Sequence, residues 1–122
     1  MKIKFQKYQG TGNDFIIINN ELLNFPQKNR QLISRLCDRK LGIGSDGLIL
    51  ITPSESLDYE MVYFNSDGNP GSMCGNGARC SVKFAQNNNL IKNQTIFNAF
   101  DGNHSATIID NHVFLSMKDV MD

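Results

Sequence analysis

One thiol lies where it could do chemistry, in the glycine-rich segment Ser72-Met73-Cys74-Gly75-Asn76-Gly77-Ala78-Arg79-Cys80. We expect a helix to start there, near Gly75 or Asn76. Unpaired amides at a helix start carry partial positive charge, which lowers a cysteine pKa from its free value of about 8.5. The same amides can hold a carboxylate. Cys74 is therefore a candidate base beside an anion pocket, an arrangement that suits proton transfer at the α-carbon of an amino acid.

The other two cysteines are predicted to be structural. Inversion at a carbon needs one group on each face, and Cys80 would lie about 9 Å further along the same helix as Cys74. Two points on one helix do not face each other across a carbon. Cys37 falls on the apolar face of an earlier helix, where cysteine is usually buried. The partner of Cys74 is therefore expected outside these residues.

Composition narrows the class of protein. The 122 residues are enough for one domain with a core, and 12 basic against 12 acidic residues give no charge excess that would attract nucleic acid or an anionic membrane. No apolar run approaches the roughly 20 residues of a membrane span, and the first residues do not read as a signal peptide. An odd, sparse set of three cysteines predicts neither a disulfide framework nor a zinc site. We expect a cytoplasmic protein that binds a small molecule and no metal.

Patterning predicts an α+β fold with mainly antiparallel strands. A helix is expected over residues 27–40 after Pro26, and a second from about Gly75 to Gln86. The strands are expected at residues 2–8, 14–19, 48–51, 58–65, 95–100, 105–109 and 113–117, joined by turns that include 10–13, 101–103 and 110–111. The two histidines, His104 and His112, are assigned to solvated surface.

A dinucleotide-like glycine pattern at residues 42–47 is interpreted as a turn. Gly42-Ile43-Gly44-Ser45-Asp46-Gly47 has the spacing of such motifs, which have meaning only after a strand and before a helix. Here a helix precedes the pattern and a strand follows it, so the amides that would grip a pyrophosphate are not available. We interpret the segment as a helix-to-strand turn with Gly42 as the helix stop.

Four blocks of this sequence, in this order, closely resemble diaminopimelate epimerases. Any one block alone would be weak evidence, but the four together are specific. The blocks are Tyr8-Gln9-Gly10-Thr11-Gly12-Asn13-Asp14-Phe15, then Cys37-Asp38-Arg39 leading into Gly42-Ile43-Gly44-Ser45-Asp46-Gly47-Leu48-Ile49, then Asn65-Ser66-Asp67-Gly68, then Met73-Cys74-Gly75-Asn76-Gly77-Ala78-Arg79-Cys80.

The resemblance implies a fold, a reaction and a set of site residues. The family has two similar domains, each with strands curled around a central helix, and inverts one α-carbon of LL-diaminopimelate to give the meso isomer. It uses one cysteine from each domain and neither pyridoxal phosphate nor metal, so no cofactor is expected. By resemblance Cys74 is the first-domain cysteine, while Asn13, Asn65, Gly75 and Asn76 belong to the substrate pocket. On spacing alone, both Asn13 and Asn65 would be interpreted as turn residues.

The resemblance covers only the first half of the family's pattern. We expect residues 1–117 to form the amino-terminal epimerase domain and residues 118–122 to begin the connection to a second domain that supplies the other cysteine. The fragment alone is expected to be inactive. Its cleft face is expected to leave apolar surface and strand edges uncovered, which favours a homodimer or pairing with a separate second half. Two alternatives stay open. One is another two-cysteine amino-acid racemase on the same fold, and the other is a non-enzymatic or ligand-binding fragment.

Overall fold

A computed structural model describes residues 3–10, 12–21, 23–71 and 75–116 of the chain. Its elements are, in chain order, β1 (Gln6–Gln9), β2 (Asp14–Asn19), α1 (Arg30–Cys37), β3 (Gly47–Thr52), β4 (Tyr59–Asn65), α2 (Gly75–Asn87), β5 (Gln94–Ala99), β6 (Gly102–Ile109) and β7 (His112–Ser116). The predicted α+β fold class is confirmed.

The strands of the described segments form a single seven-stranded sheet whose spatial order follows the chain from β1 to β7. Four of the neighbouring pairs are antiparallel, but β2 pairs with β3 and β4 pairs with β5 in parallel. Each parallel pair is separated in sequence by a helix, α1 in the first case and α2 in the second. A parallel pair needs such a crossover, because its second strand must start again at the same end of the sheet.

The sheet curls around α2, and both edge strands, β1 and β7, contact this helix. Its inner face and α2 share one core, which includes Phe15, Ile49, Met61, Val82 and Phe97. Because alternate residues of a strand face opposite sides of the sheet, the intervening residues of β2, β3 and β4 point outward. They form a second core with α1. Strands buried on both faces explain the continuous apolar runs in β2 and β3.

Helix α1 is shorter than the predicted 27–40. It begins at Arg30, where the Asn29 side chain accepts a hydrogen bond of 3.0 Å from the Leu32 amide. Pro26 does not open the helix. The helix ends at Cys37 because the next residue, Asp38, has an extended backbone. Asp38, and not Gly42, is therefore the C-cap. The expectation for Gly42 as helix stop is wrong: that residue lies four positions later, where a side chain would overlap the Arg35 carbonyl oxygen.

The hairpin turns partly differ from prediction. Strand β6 begins at Gly102, which pairs with Ala99, so the turn is Phe100-Asp101 and not residues 101–103. The predicted turn at 110–111 is confirmed, and Asp110 and Asn111 have φ values of 51° and 66°. Two successive left-handed residues match the right-handed twist of the flanking strands.

His104 was expected on the solvated surface, and this expectation is wrong because the residue is buried. It lies on the inner row of β6 with Ala106, and its ring packs against Phe97 at a centroid distance of 5.6 Å. Its Nε2 atom is 2.7 Å from the Asp101 carboxylate. The pairing lets a polar ring occupy an apolar row. His112 is exposed, as predicted.

The outer face of β5 to β7 carries exposed apolar side chains. Ile96, Ile109 and Phe114 are 51%, 54% and 58% exposed, whereas the outer face of β2 to β4 is covered by α1. The expected uncovered surface on the cleft face and the homodimer both stay predictions. Within residues 3–116, as far as the structure describes them, no helix has the length and apolarity to span a bilayer.

Candidate active site

The sequence-predicted site residues that the structure describes lie at one end of the sheet. Asn13 immediately precedes β2, and Asn65 ends β4 opposite Gly47, the first residue of β3. Since β2 and β3 are parallel and β4 runs the other way, the starts of β2 and β3 lie at the same end of the sheet as the last residue of β4. Two strand spacings place Asn65 about 10 Å from β2. Cys74 lies outside the described residues, so its role stays a prediction.

Asn13 and Asn76 are in direct contact. The Nδ2 group of Asn76 donates to Oδ1 of Asn13 at 3.0 Å, across 63 positions of sequence. The turn that carries Asn13 approaches α2 closely because Gly10 has no side chain: a Cβ at Gly10 would lie 3.1 Å from Cβ of Asn76. The Gly10 amide also donates to the Asn13 carbonyl at 2.8 Å, which closes the turn. Two predicted pocket residues therefore form one unit.

A charged cluster supports Asn13 from the side away from α2. Arg39 donates to Asp14 at 2.9 and 3.2 Å and to Asp46 at 3.2 Å, while Lys7 lies 2.9 Å from Asp14. The Arg39 guanidinium holds the pKa of Asp14 well below its usual range, and Lys7 adds to the effect. Two carboxylates and two cations balance, so the support for Asn13 has no net formal charge.

The segment after β4 folds back on that strand. The Asn65 amide donates to the Asn69 carbonyl at 2.9 Å, and the Gly71 amide donates to the Tyr63 carbonyl at 3.0 Å. Gly68, at φ 90°, makes the tight reversal. The Asn65 side chain ends beside Gly71, since a Cβ at Gly71 would lie 2.8 Å from its Oδ1. The turn thus brings the Asn65 side chain against Gly71.

At this end of the sheet, the Tyr63 ring fills the space between the backbones of Gly47 and Gly71. A Cβ at Gly47 would lie 2.6 Å from its Cε1 atom, and a Cβ at Gly71 would lie 2.7 Å from Cε2. The ring also meets Phe15 edge-on, with centroids 6.1 Å apart. Gly47 therefore has a steric role here, and a side chain at that position would need the volume that Tyr63 occupies.

Helix α2 begins at Gly75, as predicted, with Asn76 in its first turn. The start of a helix carries partial positive charge, and the first turn of α2 contains no acidic residue that would offset it. The Arg79 guanidinium adds a positive charge, since its Nη1 atom lies 3.6 Å from where a Cβ on Gly75 would be. An anion bound at this helix start would be stabilised by both sources of charge.

The two cysteines predicted to be structural are buried. Cys37 is 3% exposed in the outer core, and burial raises the pKa of its thiol, which keeps it protonated and unreactive. Cys80 is 5% exposed in the inner core. In the part of the chain that the structure describes, no three His, Cys, Asp or Glu side chains cluster as metal ligands would.

The glycine pattern at 42–47 lies between α1 and β3, as the sequence interpretation required. Its backbone amides are used within the fold, because Ile43 and Gly44 donate to the Leu36 carbonyl and Ser45 donates to the Cys37 carbonyl. They close the end of α1 and do not present an open phosphate cradle.

Sequence reasoning missed the residues that hold the site in place, above all Asp14, Arg39 and Asp46. All three stand in the quoted motif blocks, which was the available signal. Their pairing joins positions 25 and 32 residues apart, and no local periodicity reports such contacts.

The chain is similar to diaminopimelate epimerases over nearly all its length. A sequence model of that family, described as diaminopimelate epimerase, matches residues 5–119. A diaminopimelate epimerase of Flavobacterium psychrophilum is 58% identical over 119 residues, which are 97% of this chain and 46% of that protein. One from Alkaliphilus metalliredigens is 49% identical over 94 residues, 77% of this chain and 33% of that protein. The chain thus spans less than half the length of these two curated relatives.

Solved structures with the same fold have low sequence identity. A methylitaconate-delta-isomerase matches with a TM-score of 0.68 at 16% identity, over 93% of this chain and 62% of that one. A probable proline racemase from Agrobacterium radiobacter K84, with bound carbonate, matches with a TM-score of 0.66 at 13% identity, over 95% and 42%. These similarities concern the fold alone.

Proposed function

Because this chain belongs to the diaminopimelate epimerase family, we propose that it forms the amino-terminal half of an enzyme that inverts one α-carbon of LL-diaminopimelate to the meso isomer. In this proposal residues 1–117 are the first domain, and the second domain supplies the opposing cysteine. The product would serve lysine and peptidoglycan synthesis in the cytoplasm. Neither metal nor pyridoxal phosphate takes part.

The observation that carries the proposal is that α2 begins at the residue after Cys74, with Asn76 of its first turn bonded to Asn13. Sequence reasoning named these three residues for one pocket. The contact between Asn13 and Asn76 spans the turn before β2 and the first turn of α2, which is the arrangement that a shared pocket requires. It supports the assignment of both asparagines to one substrate carboxylate.

The proposed chemistry has two steps around one carbon. The Cys74 thiolate removes the α-proton from one face, and the thiol of the second domain delivers a proton to the opposite face. Between these two steps, negative charge develops on the substrate carboxylate next to the carbanion. In this proposal the amides of the first turn of α2, starting at Gly75, stabilise that charge, and the Asn76 side chain binds the same carboxylate equally in the substrate and in the carbanion. Asn65 is proposed to bind the same substrate from the end of β4.

The charges on this face of the domain are consistent with the proposal. Partial charges at the helix start and the Arg79 guanidinium favour a thiolate at the preceding residue and a carboxylate in front of the amides. Asn13 and Asn65 are neutral, so they can bind a zwitterion without changing the charge state of the cysteine. The cluster that supports Asn13 is itself balanced.

The test is exchange at the α-carbon by the full-length protein in deuterated water. LL-diaminopimelate should gain deuterium and convert to the meso isomer, and Cys74→Ala should reduce this rate by at least about 100-fold, the low end for loss of an acid or base. Cys80→Ala is the matched control, because that buried thiol should affect stability and leave exchange in place. Undiminished exchange in Cys74→Ala, or its loss in a folded Cys80→Ala protein, would refute the assignment.

A further inference from the structure

We infer that Asp46 is a positioning residue for this site: it sets the direction in which the Asn13 amide points, and through Asn13 it orients Asn76. The inference rests on the proposed function, since Asn13 and Asn76 matter to catalysis only as residues of the substrate pocket. Neither the sequence patterns nor the family resemblance assigned a role to Asp46.

The hydrogen bonds of Asp46 define the orientation. Its Oδ2 atom accepts from Nδ2 of Asn13 at 3.3 Å and from the backbone amide of Asp14 at 3.1 Å. Its Oδ1 atom accepts from Arg39 at 3.2 Å. The backbone amide of Asp46 in turn donates to the Asp14 carboxylate at 3.0 Å. Both carboxylate oxygens are therefore engaged, and the group is held from two directions.

A carboxylate only accepts hydrogen bonds, so it distinguishes the two ends of an amide. With Asp46 on one side, the Asn13 amino group must face it and the Asn13 oxygen must face α2. That oxygen accepts from Nδ2 of Asn76 at 3.0 Å. A reversed Asn13 amide would set its oxygen against a carboxylate and its amino group against another amino group. Both contacts would be repulsive. Asn76 therefore donates to Asn13, and Asn13 donates to Asp46.

The consequence for the site is a fixed pattern of donors and acceptors. Asn76 donates one amino hydrogen to Asn13, and this bond fixes the orientation of the Asn76 amide plane. Asn13 keeps one amino hydrogen beyond the one given to Asp46. If Asp46 were neutral and amide-like, the Asn13 amide could bond in either orientation. The pocket would then present a mixture of donor patterns to a substrate carboxylate.

The same pocket asparagines should hold the ground state and the transition state, so a disordered amide should weaken binding more than chemistry. Asp46→Asn in the full-length protein should raise KM for LL-diaminopimelate about five-fold, the order expected for one hydrogen bond, and change kcat by less than about two-fold. In an Asn13→Ala background the same substitution should change KM by less than about two-fold, because Asp46 acts through Asn13.

The matched control is Asp58→Asn. Asp58 also accepts from a backbone amide, that of Ile96 at 3.3 Å, but at the opposite end of β4. It should leave KM unchanged. If Asp46→Asn raised KM by the same factor in the wild-type and in the Asn13→Ala background, the inference would be overturned, since the effect would then be general destabilisation. No change in KM for Asp46→Asn would overturn it as well.

A second measurement does not depend on turnover. In protein labelled with ¹⁵N at asparagine, the side-chain signals of Asn13 and Asn76 can be identified by their loss in the alanine variants. Asp46→Asn should shift both signals, and Asp58→Asn should shift neither. Unmoved signals in Asp46→Asn would refute the orientation even if the enzyme were active. Shifted signals in a protein without epimerase activity would uphold the orientation and refute the proposed function.

Discussion

Replacing Gly47 by alanine should destabilise the protein, because Tyr63 occupies the space that the new methyl group needs. The added Cβ would lie 2.6 Å from Cε1 and 2.9 Å from the hydroxyl oxygen of Tyr63, and 2.9 Å from the Phe64 carbonyl oxygen. Carbon atoms pack best at about 3.5–4.0 Å. The ring would therefore have to retreat by about 1 Å to restore contact at that distance.

Neither obstacle can move freely. The Phe64 carbonyl belongs to β4, which is in register with β3 at Leu48. The Tyr63 ring is bounded on its other edge by Gly71, where a Cβ would lie 2.7 Å from Cε2. A retreating ring would press on Gly71. Overpacking of this kind costs about 1–3 kcal/mol, and we expect Gly47→Ala to lower the free energy of unfolding by that amount.

Urea denaturation of the full-length protein measures the loss, and a double-mutant cycle with Tyr63→Leu tests its cause. With the ring removed, Gly47→Ala should cost less than half as much. Gly75→Ala is the control for glycine replacement, because among the residues that the structure describes its Cβ would meet only Arg79, in an ordinary contact at 3.6 Å, and it should cause no loss. An equal loss from Gly47→Ala with and without Tyr63, or no loss at all, would refute the steric reasoning.

Two further predictions concern pH and a turn. Asp14 has a pKa below its unfolded value because Arg39 and Lys7 donate to it, so its contribution is present above about pH 4 and is lost as the pH falls through the lower folded pKa. Asp14→Asn should lower the free energy of unfolding at pH 7 by about 1 kcal/mol and flatten its decline below pH 4; an unchanged slope in acid denaturation would contradict this. In the same urea assay, Asn111→Ala should lower the free energy of unfolding by about 1 kcal/mol more than Asn111→Gly, because alanine is strained at the φ of 66° found there. Both variants lose the contact with Lys83, so that contact does not affect the comparison. Equal stabilities of the two variants would contradict this.

Much of the fold could be read from local pattern. Strand β2 was predicted at its observed bounds, and the start of α2 at Gly75 was one of the two predicted positions. These features depend on residues close in sequence: apolar runs bounded by turn residues, and a glycine-rich approach to a helix. The bounds of α1 follow less well from the sequence, because Pro26 favours a start at residue 27, whereas Asn29 provides the cap.

The burial of His104 could not be predicted for a physical reason. A histidine in a strand is compatible with solvent unless a polar partner and an apolar row meet it in space, and here these are Asp101 and Phe97. Which strands pair in parallel was also beyond the sequence. An α+β sequence of this length allows several orders of strands, and only the packing of both sheet faces selects one.

The sequence by itself determined the family, the fold class, the neutral charge and the residues named for the pocket, since motif order and local periodicity are properties of the chain alone. Only the tertiary structure decided that Asn13 meets Asn76, that Asp46 and Arg39 support them, and that Tyr63 fills the space over Gly47. Those contacts join residues 7 to 63 positions apart, and their geometry exists only after the sheet has closed around α2.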